Sequence, residues 1–144
     1  MKKFVLFIVV VLLSPLILLA QNREDSLAIK SASMDYVEGW YEADYKRMES
    51  SLHPDLVKRV VREHPRSKRP ILNHISKTTL VEYTRGGGGK DTPRDKLFYE
   101  VAVLDIYNGI ATVKGVSANY VDYLHLAKWN DKWLIVNILW DDRK

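Results

Sequence analysis

With 144 residues, no cysteine and a formal net charge of +4, the chain has the length of one domain, and neither a disulfide nor a cysteine-linked lipid can support it. Two of its lysines sit in an N-terminal leader, so the charge of the remainder falls to +2, a weak pull on any polyanion that points away from nucleic acid as a partner. A domain of this size buries about two-thirds of its unfolded surface, so core packing alone can hold it.

Lys2 and Lys3 precede an uncharged apolar run, Phe4 to Leu19, with Ala20 after it. That is the order of a secretory signal peptide. Ser14 and Pro15 interrupt the run, whereas a spanning helix needs about 20 clean apolar residues. The expectation is a signal peptide over residues 1–20, cleaved after Ala20, and an exported domain over 21–144, periplasmic or secreted. Membrane contact would then be made only through the leader before cleavage.

Arg23 to Asp44 carries the strongest helical periodicity. Ile29, Ser33, Val37 and Trp40 recur at helical spacing with Ala32, Tyr36 and Tyr41 beside them, and charged residues occupy most of the remaining surface. Gly39 inside that helix implies a close backbone approach beside Trp40. A second short helix over Tyr45 to Leu52 should end before His53-Pro54, because the residue before proline disfavours helix. Two strands, Leu56 to His64 and Ile71 to Ile75, flank the cationic tip Pro65 to Pro70. The ordinary account of Lys58, Arg59, Arg62, Arg66, Lys68 and Arg69 is a solvated charged surface. The sharper one is contact with anionic lipid or polysaccharide.

Ser76 or Thr78 can cap a third helix running to Arg85, with Leu80, Val81 and Tyr83 expected inside and Gly86 as its left-handed stop. Gly86 to Gly89 lead into Lys90-Asp91, but the phosphate-loop pattern fails at Thr84 and at Asp91, so the run reads as a mobile connector. Four strands then follow as a meander. Asn108-Gly109 joins Leu97–Tyr107 to Ile110–Val116, and Asn130-Asp131 joins the two apolar, aromatic-rich runs of Val121 to Trp140. Helices grouped before a meander indicate an α+β domain, with the helices on one face of a curved sheet.

With these elements placed, the chain resembles the nuclear transport factor 2-like superfamily, in its "Putative lumazine-binding" branch. The resembling stretches are Tyr36 to Tyr41, Leu52 to Leu56, Val121 to Leu126 and Trp133 to Asn137. The resemblance implies a cone-shaped α+β roll, with three N-terminal helices packed on a curved, mostly antiparallel six-stranded sheet and a mouth between the long helix and the concave face. It also implies frequent dimerisation. The sequence departs from the group at Ala43 and Asp131, where glycine is expected. The superfamily holds isomerases, dehydratases, polyketide cyclases and non-catalytic binding domains, so the fold alone decides no activity.

If Asn130-Asp131 forms a two-residue turn, Trp129 faces Lys132 and His125 faces Val136. Asp122, Leu124 and Asn137 then share one sheet face, while His125 lies on the other. Asp122 with Asn137 on an apolar face is the weak catalytic candidate, since a desolvated carboxyl can act as acid or base. Tyr36, Trp40, Tyr41 and Tyr120 join Asp122, Leu124 and Asn137 as pocket-lining candidates. Asp122 at a sheet margin, or paired with Lys128, is the structural alternative. His125 reads first as a hydrogen-bonded histidine, and His53 as a side chain fixing the turn at Pro54. No histidine or acidic spacing suits a metal, and no cofactor is implied. The favoured function is a binding domain for a small, partly apolar molecule. An isomerase-, dehydratase- or cyclase-type enzyme using Asp122 as base, and a module that homodimerises through the sheet face, are the alternatives.

Overall fold

The computed structural model describes residues 23–144; the leader and its cleavage position lie outside the described residues. Helix α1 occupies residues 23–42. It is followed by helix α2 (Tyr45–Ser51), strands β1 (Leu52–Glu63) and β2 (Pro70–Ser76), helix α3 (Lys77–Arg85), and strands β3 (Tyr99–Tyr107), β4 (Ile110–Ser117), β5 (Tyr120–Trp129) and β6 (Lys132–Asp142). The six strands form one sheet in the order β2-β1-β6-β5-β4-β3. Every pairing is antiparallel except β1 with β6. This is the three-helix, six-stranded α+β roll expected from the sequence.

The face of α1 read from periodicity is the buried one. Ile29, Ala32, Ser33, Tyr36, Val37 and Tyr41 pack with Leu124, Leu126, Ile135 and Ile138 of the sheet. Ser33 returns its hydroxyl proton to the Ile29 carbonyl (2.8 Å), so a polar residue sits in the core without an unpaired group. A Cβ on Gly39 would lie 3.0 Å from the Met48 amide nitrogen and 3.2 Å from the Asp44 carbonyl. The backbone approach implied by that glycine is therefore made by α2. Asp44 caps α2, accepting from the amides of Lys46 and Arg47.

The two positions that depart from the family's glycines both adopt the left-handed backbone, with Ala43 at φ 57° and Asp131 at φ 61°. A side chain there costs about 1–2 kcal/mol, partly offset by the greater chain entropy that glycine loses. Ala43→Gly should therefore raise stability by about 1 kcal/mol, read as a higher urea midpoint at unchanged slope.

Three local expectations need correction. Gly86 does not stop α3 in the left-handed region. It sits at φ −74°, and Gly87 and Gly88 take positive φ instead. Nor is the glycine run a free connector. The Gly89 amide donates to the Trp40 carbonyl (2.9 Å), and a Cβ on Gly88 would come within 2.4 Å of the same oxygen. Gly88 and Gly89 are a contact surface for the end of α1, and glycine is required at these two positions because nothing larger fits. Gly88→Ala should destabilise by about 1–3 kcal/mol, whereas Gly87→Ala, with open space around it, carries only the backbone cost. Tyr83, expected inside, is 55% exposed, while Thr84 is buried and bonded to the Leu80 carbonyl.

At the other end of α1, Asp25 accepts from Lys128 Nζ (2.8 Å) and Trp133 Nε1 (2.9 Å). This ties the start of the helix to the β5–β6 hairpin. The Lys128 hydrogen bond, then that of Trp133, holds the Asp25 carboxyl below its ordinary value. A depressed native carboxylate contributes stability that is full above the unfolded value near 3.8 and fades as pH falls through the lower native value. Asp25→Asn should remove that acid-side slope, seen by comparing urea midpoints of the two proteins across the acid range.

Candidate functional site: an aromatic cavity over a buried Lys–Asp–Tyr cluster

Strand alternation on β1 turns Leu56, Lys58 and Val60 towards the helices, and all three are buried. Lys58 is thus carried into the interior with its apolar neighbours. Its ammonium group donates to Asp122 Oδ1 (2.9 Å) and to the Tyr36 hydroxyl (2.6 Å), and Tyr36 in turn donates to Asp122 Oδ1 (2.9 Å). The side chains of Lys58 and Asp122 are only 8% and 5% exposed. Their charges cancel where water cannot screen them, which is the condition for keeping both inside. Rings enclose the ammonium: its nitrogen lies 4.6 Å from the Trp140 centroid, 5.3 Å from Tyr36 and 5.8 Å from Tyr120. Burial, then the Asp122 charge, pushes the Tyr36 phenol well above its ordinary value, so it remains a protonated donor.

Above this cluster lies a cavity of about 340 Å³ between α1 and the sheet. Trp40, Tyr41, Tyr120 and Trp140 give it aromatic walls, Val60, Ile75 and Leu80 add aliphatic ones, and Lys58, Asp122 and Tyr36 supply the charged floor. Tyr120 meets Trp40 and Trp140 edge-on at 6.3 and 5.1 Å. Tyr41 closes the wall by donating to Ser117 Oγ (2.9 Å) and accepting from the Asn119 amide (3.2 Å). Arg62, also on the wall, lies over Trp140 at 4.8 Å and is held by Asp141 (2.9 Å) and Asp142 (3.0 Å). Both hydrogen bonds that Asp122 accepts among the described residues use Oδ1.

Of the residues singled out in the sequence, Tyr36, Trp40, Tyr41, Tyr120 and Asp122 line this cavity, and Leu124 and Asn137 do not. Leu124 is fully buried in the core opposite Ile138. The pairing of Asp122 with Asn137 is corrected by the register of the last hairpin. Asn130 and Asp131 form the expected two-residue turn, and Trp129 faces Lys132. However, the register shifts between His125 and Leu126, leaving Val136 as the extra residue, so His125 faces Asn137 rather than Val136. A bulge reverses the alternation beyond it. Asn137 therefore lies on the outer sheet face, hydrogen-bonded to Arg59 and 3.2 Å from His125 Nδ1.

The same shift brings Trp140 opposite Asp122, onto the cavity side. Asp122 and His125 still point to opposite faces. The Asp122 carboxylate is not stranded in apolar surroundings as supposed; its charge is met by Lys58 rather than by Lys128, which pairs with Asp25. His53 Nδ1 accepts from the Asp55 amide (3.1 Å), the turn-fixing contact expected of it, and packs edge-on against Trp129. Lys58 is the residue that reading the sequence as a cationic stretch missed. Its signal was the period-two alternation with Leu56 and Val60.

The sequence matches the model of the family described as "Putative lumazine-binding" over residues 24–141. No curated protein matches it. Similar solved structures include an NTF-2-like protein of unknown function from Silicibacter pomeroyi DSS-3, at 16% identity and TM-score 0.66, covering 85% of this chain and 98% of that one. Another NTF2-like protein of unknown function, from Methylobacillus flagellatus KT, aligns at 17% identity and TM-score 0.65, covering 84% and 94%. A ketosteroid isomerase-like protein from Erwinia carotovora atroseptica SCRI1043 aligns at 14% identity and TM-score 0.55, covering 82% and 95%. At such identities these likenesses establish the fold and leave activity open. By its family-model match the chain belongs to the "Putative lumazine-binding" family, and its fold is that of the NTF2-like proteins.

Proposed function

We propose that the chain is an exported binding domain that holds a small, partly apolar molecule in the cavity between α1 and the sheet. The observation that carries this reading is an open, aromatic-walled space over a charged floor that is already internally neutralised. Such a space, within the usual range of about 300–1,000 Å³ for ligand sites, offers apolar area and a few fixed polar groups rather than a reacting set. The leader sequence supports export to the periplasm or beyond. The family description makes lumazine the first compound to test, beside a metabolite extract passed over the purified protein and analysed by mass spectrometry. Retention of a compound that shields the cavity tryptophans Trp40 and Trp140 from quenching supports the reading; an empty protein after both tests counts against it.

The enzyme alternative keeps one point in its favour, since Asp122 lines the cavity. Its carboxylate already holds Lys58 and Tyr36, so proton abstraction would have to break that arrangement. A partner reading rests on the outer sheet face, where Leu104, Tyr123 and Leu139 are exposed. Arg59 lies towards one edge of that face and Glu100 and Asp105 towards the other. A second copy related by a two-fold axis along the strands would set each edge against its opposite charge. Tyr123→Lys with Leu139→Lys should then halve the mass seen in sedimentation, and a wild-type monomer at micromolar concentration would end this version.

A further inference from the structure

The floor of the cavity holds two hydrogen-bonding groups that its own contacts leave open. Asp122 accepts from Lys58 and Tyr36 on Oδ1, and no donor among the described residues reaches Oδ2. Among the described residues, the side-chain polar atom that is both buried and unpartnered is Trp40 Nε1. Asp122 Oδ2 is therefore accessible, and the space that Asp122 lines is the cavity. An ammonium carries three protons, of which Lys58 gives one to Asp122 and one to Tyr36. The third has no oxygen or nitrogen acceptor among the described residues. Lys58 also lines the cavity, so a donor and an acceptor stand side by side on its floor. The wall offers less: Tyr41 and Ser117 bond to each other, and Arg62 is held by Asp141 and Asp142.

We infer, resting on the reading that this cavity binds a small molecule, that its ligand is a neutral planar ring compound with a cis-amide edge: a lactam, an imide or a cyclic urea. The ring carbonyl accepts the third Lys58 proton, and the adjacent ring N–H donates to Asp122 Oδ2. Charge selects the neutral form. Lys58 and Arg62 face Asp122, Asp141 and Asp142, two cations against three carboxylates, so no cation is left over for a carboxylate or phosphate ligand. A cationic ligand would sit beside the Lys58 ammonium, where little water screens the repulsion. Shape selects the flat ring. Tyr120 stands at 72° to Trp40 and at 87° to Trp140, so a flat ring stacked on one of them meets its neighbour by the edge, and both are favourable aromatic geometries. A sugar would bury hydroxyls against these rings without partners.

The probes are 2-quinolone, its N-methyl derivative, quinoline and quinoline-2-carboxylate, each titrated into the ¹⁵N-labelled protein. The first carries the whole edge. N-methyl-2-quinolone and quinoline both lack the N–H, quinoline without added bulk, and the carboxylate is the anion. The indole N–H signals of Trp40 and Trp140 report on the cavity, with those of Trp129 and Trp133 as references. The quinolone should bind at least about tenfold tighter than the other three, as expected for a hydrogen bond to a charged group, and Ile75→Trp, which fills the cavity, should abolish its shifts. A smaller preference over quinoline or the N-methyl compound, with shifts still lost in Ile75→Trp, overturns the amide edge and leaves the cavity as a binding site. Tightest binding by the carboxylate overturns the neutral class. No shift with any probe, in a protein that retains a compound from the metabolite extract, overturns the edge alone; no shift and no retained compound overturn the binding reading with it.

Discussion

Lys58→Met should destabilise the domain by about 3–5 kcal/mol, because it leaves the Asp122 carboxylate buried with a phenol as its remaining partner. The loss is large for a single residue since the pair is shielded from solvent and both of its other contacts, Tyr36 and the surrounding rings, are preorganised around the ammonium. Lys58→Met together with Asp122→Leu removes both charges and should recover most of the deficit, since a buried ion pair gives little net stability over a well-packed apolar pair. Chemical denaturation of the wild type, two single variants and the double variant gives the coupling directly. Additive losses would mean that the two charges are met separately by water, and the cluster would no longer be a closed unit.

Ile75→Trp should abolish ligand retention while leaving the fold intact. Ile75 is partly buried on the edge strand β2, directly opposite Lys58, and its side chain lines the cavity. Extra volume in a filled core costs about 1–3 kcal/mol, but here it enters open space, so the melting temperature should hold or rise. Losing the space a ligand occupies should weaken binding by at least about 100-fold, near 2.7 kcal/mol. A variant that melts normally yet binds as tightly as wild type would place the ligand elsewhere.

Much of this architecture was legible in the sequence because period and turn chemistry act locally. The Ile29–Tyr41 stripe gave the buried helix face, and Asn108-Gly109 and Asn130-Asp131 gave both hairpin turns. The site was only partly legible. Tyr36, Trp40 and Tyr41 follow from helical spacing, and Tyr120 and Asp122 from alternation, but one extra residue at Val136 moved Asn137 to the outer face and Trp140 into the cavity. A bulge is a compromise between strands that neither strand announces. Lys58 was hidden by its cationic neighbours, although Leu56 and Val60 on either side marked its face. The glycine run gave no hint of its contact with Trp40, because that contact lies between segments more than forty residues apart.

The most direct measurement is native mass spectrometry of wild type and Ile75→Trp after exposure to the same metabolite extract with lumazine added. Binding in the cavity predicts one compound retained at a fixed stoichiometry by the wild type and absent from the variant. A wild type that retains nothing, or a compound held equally by both proteins, would contradict it.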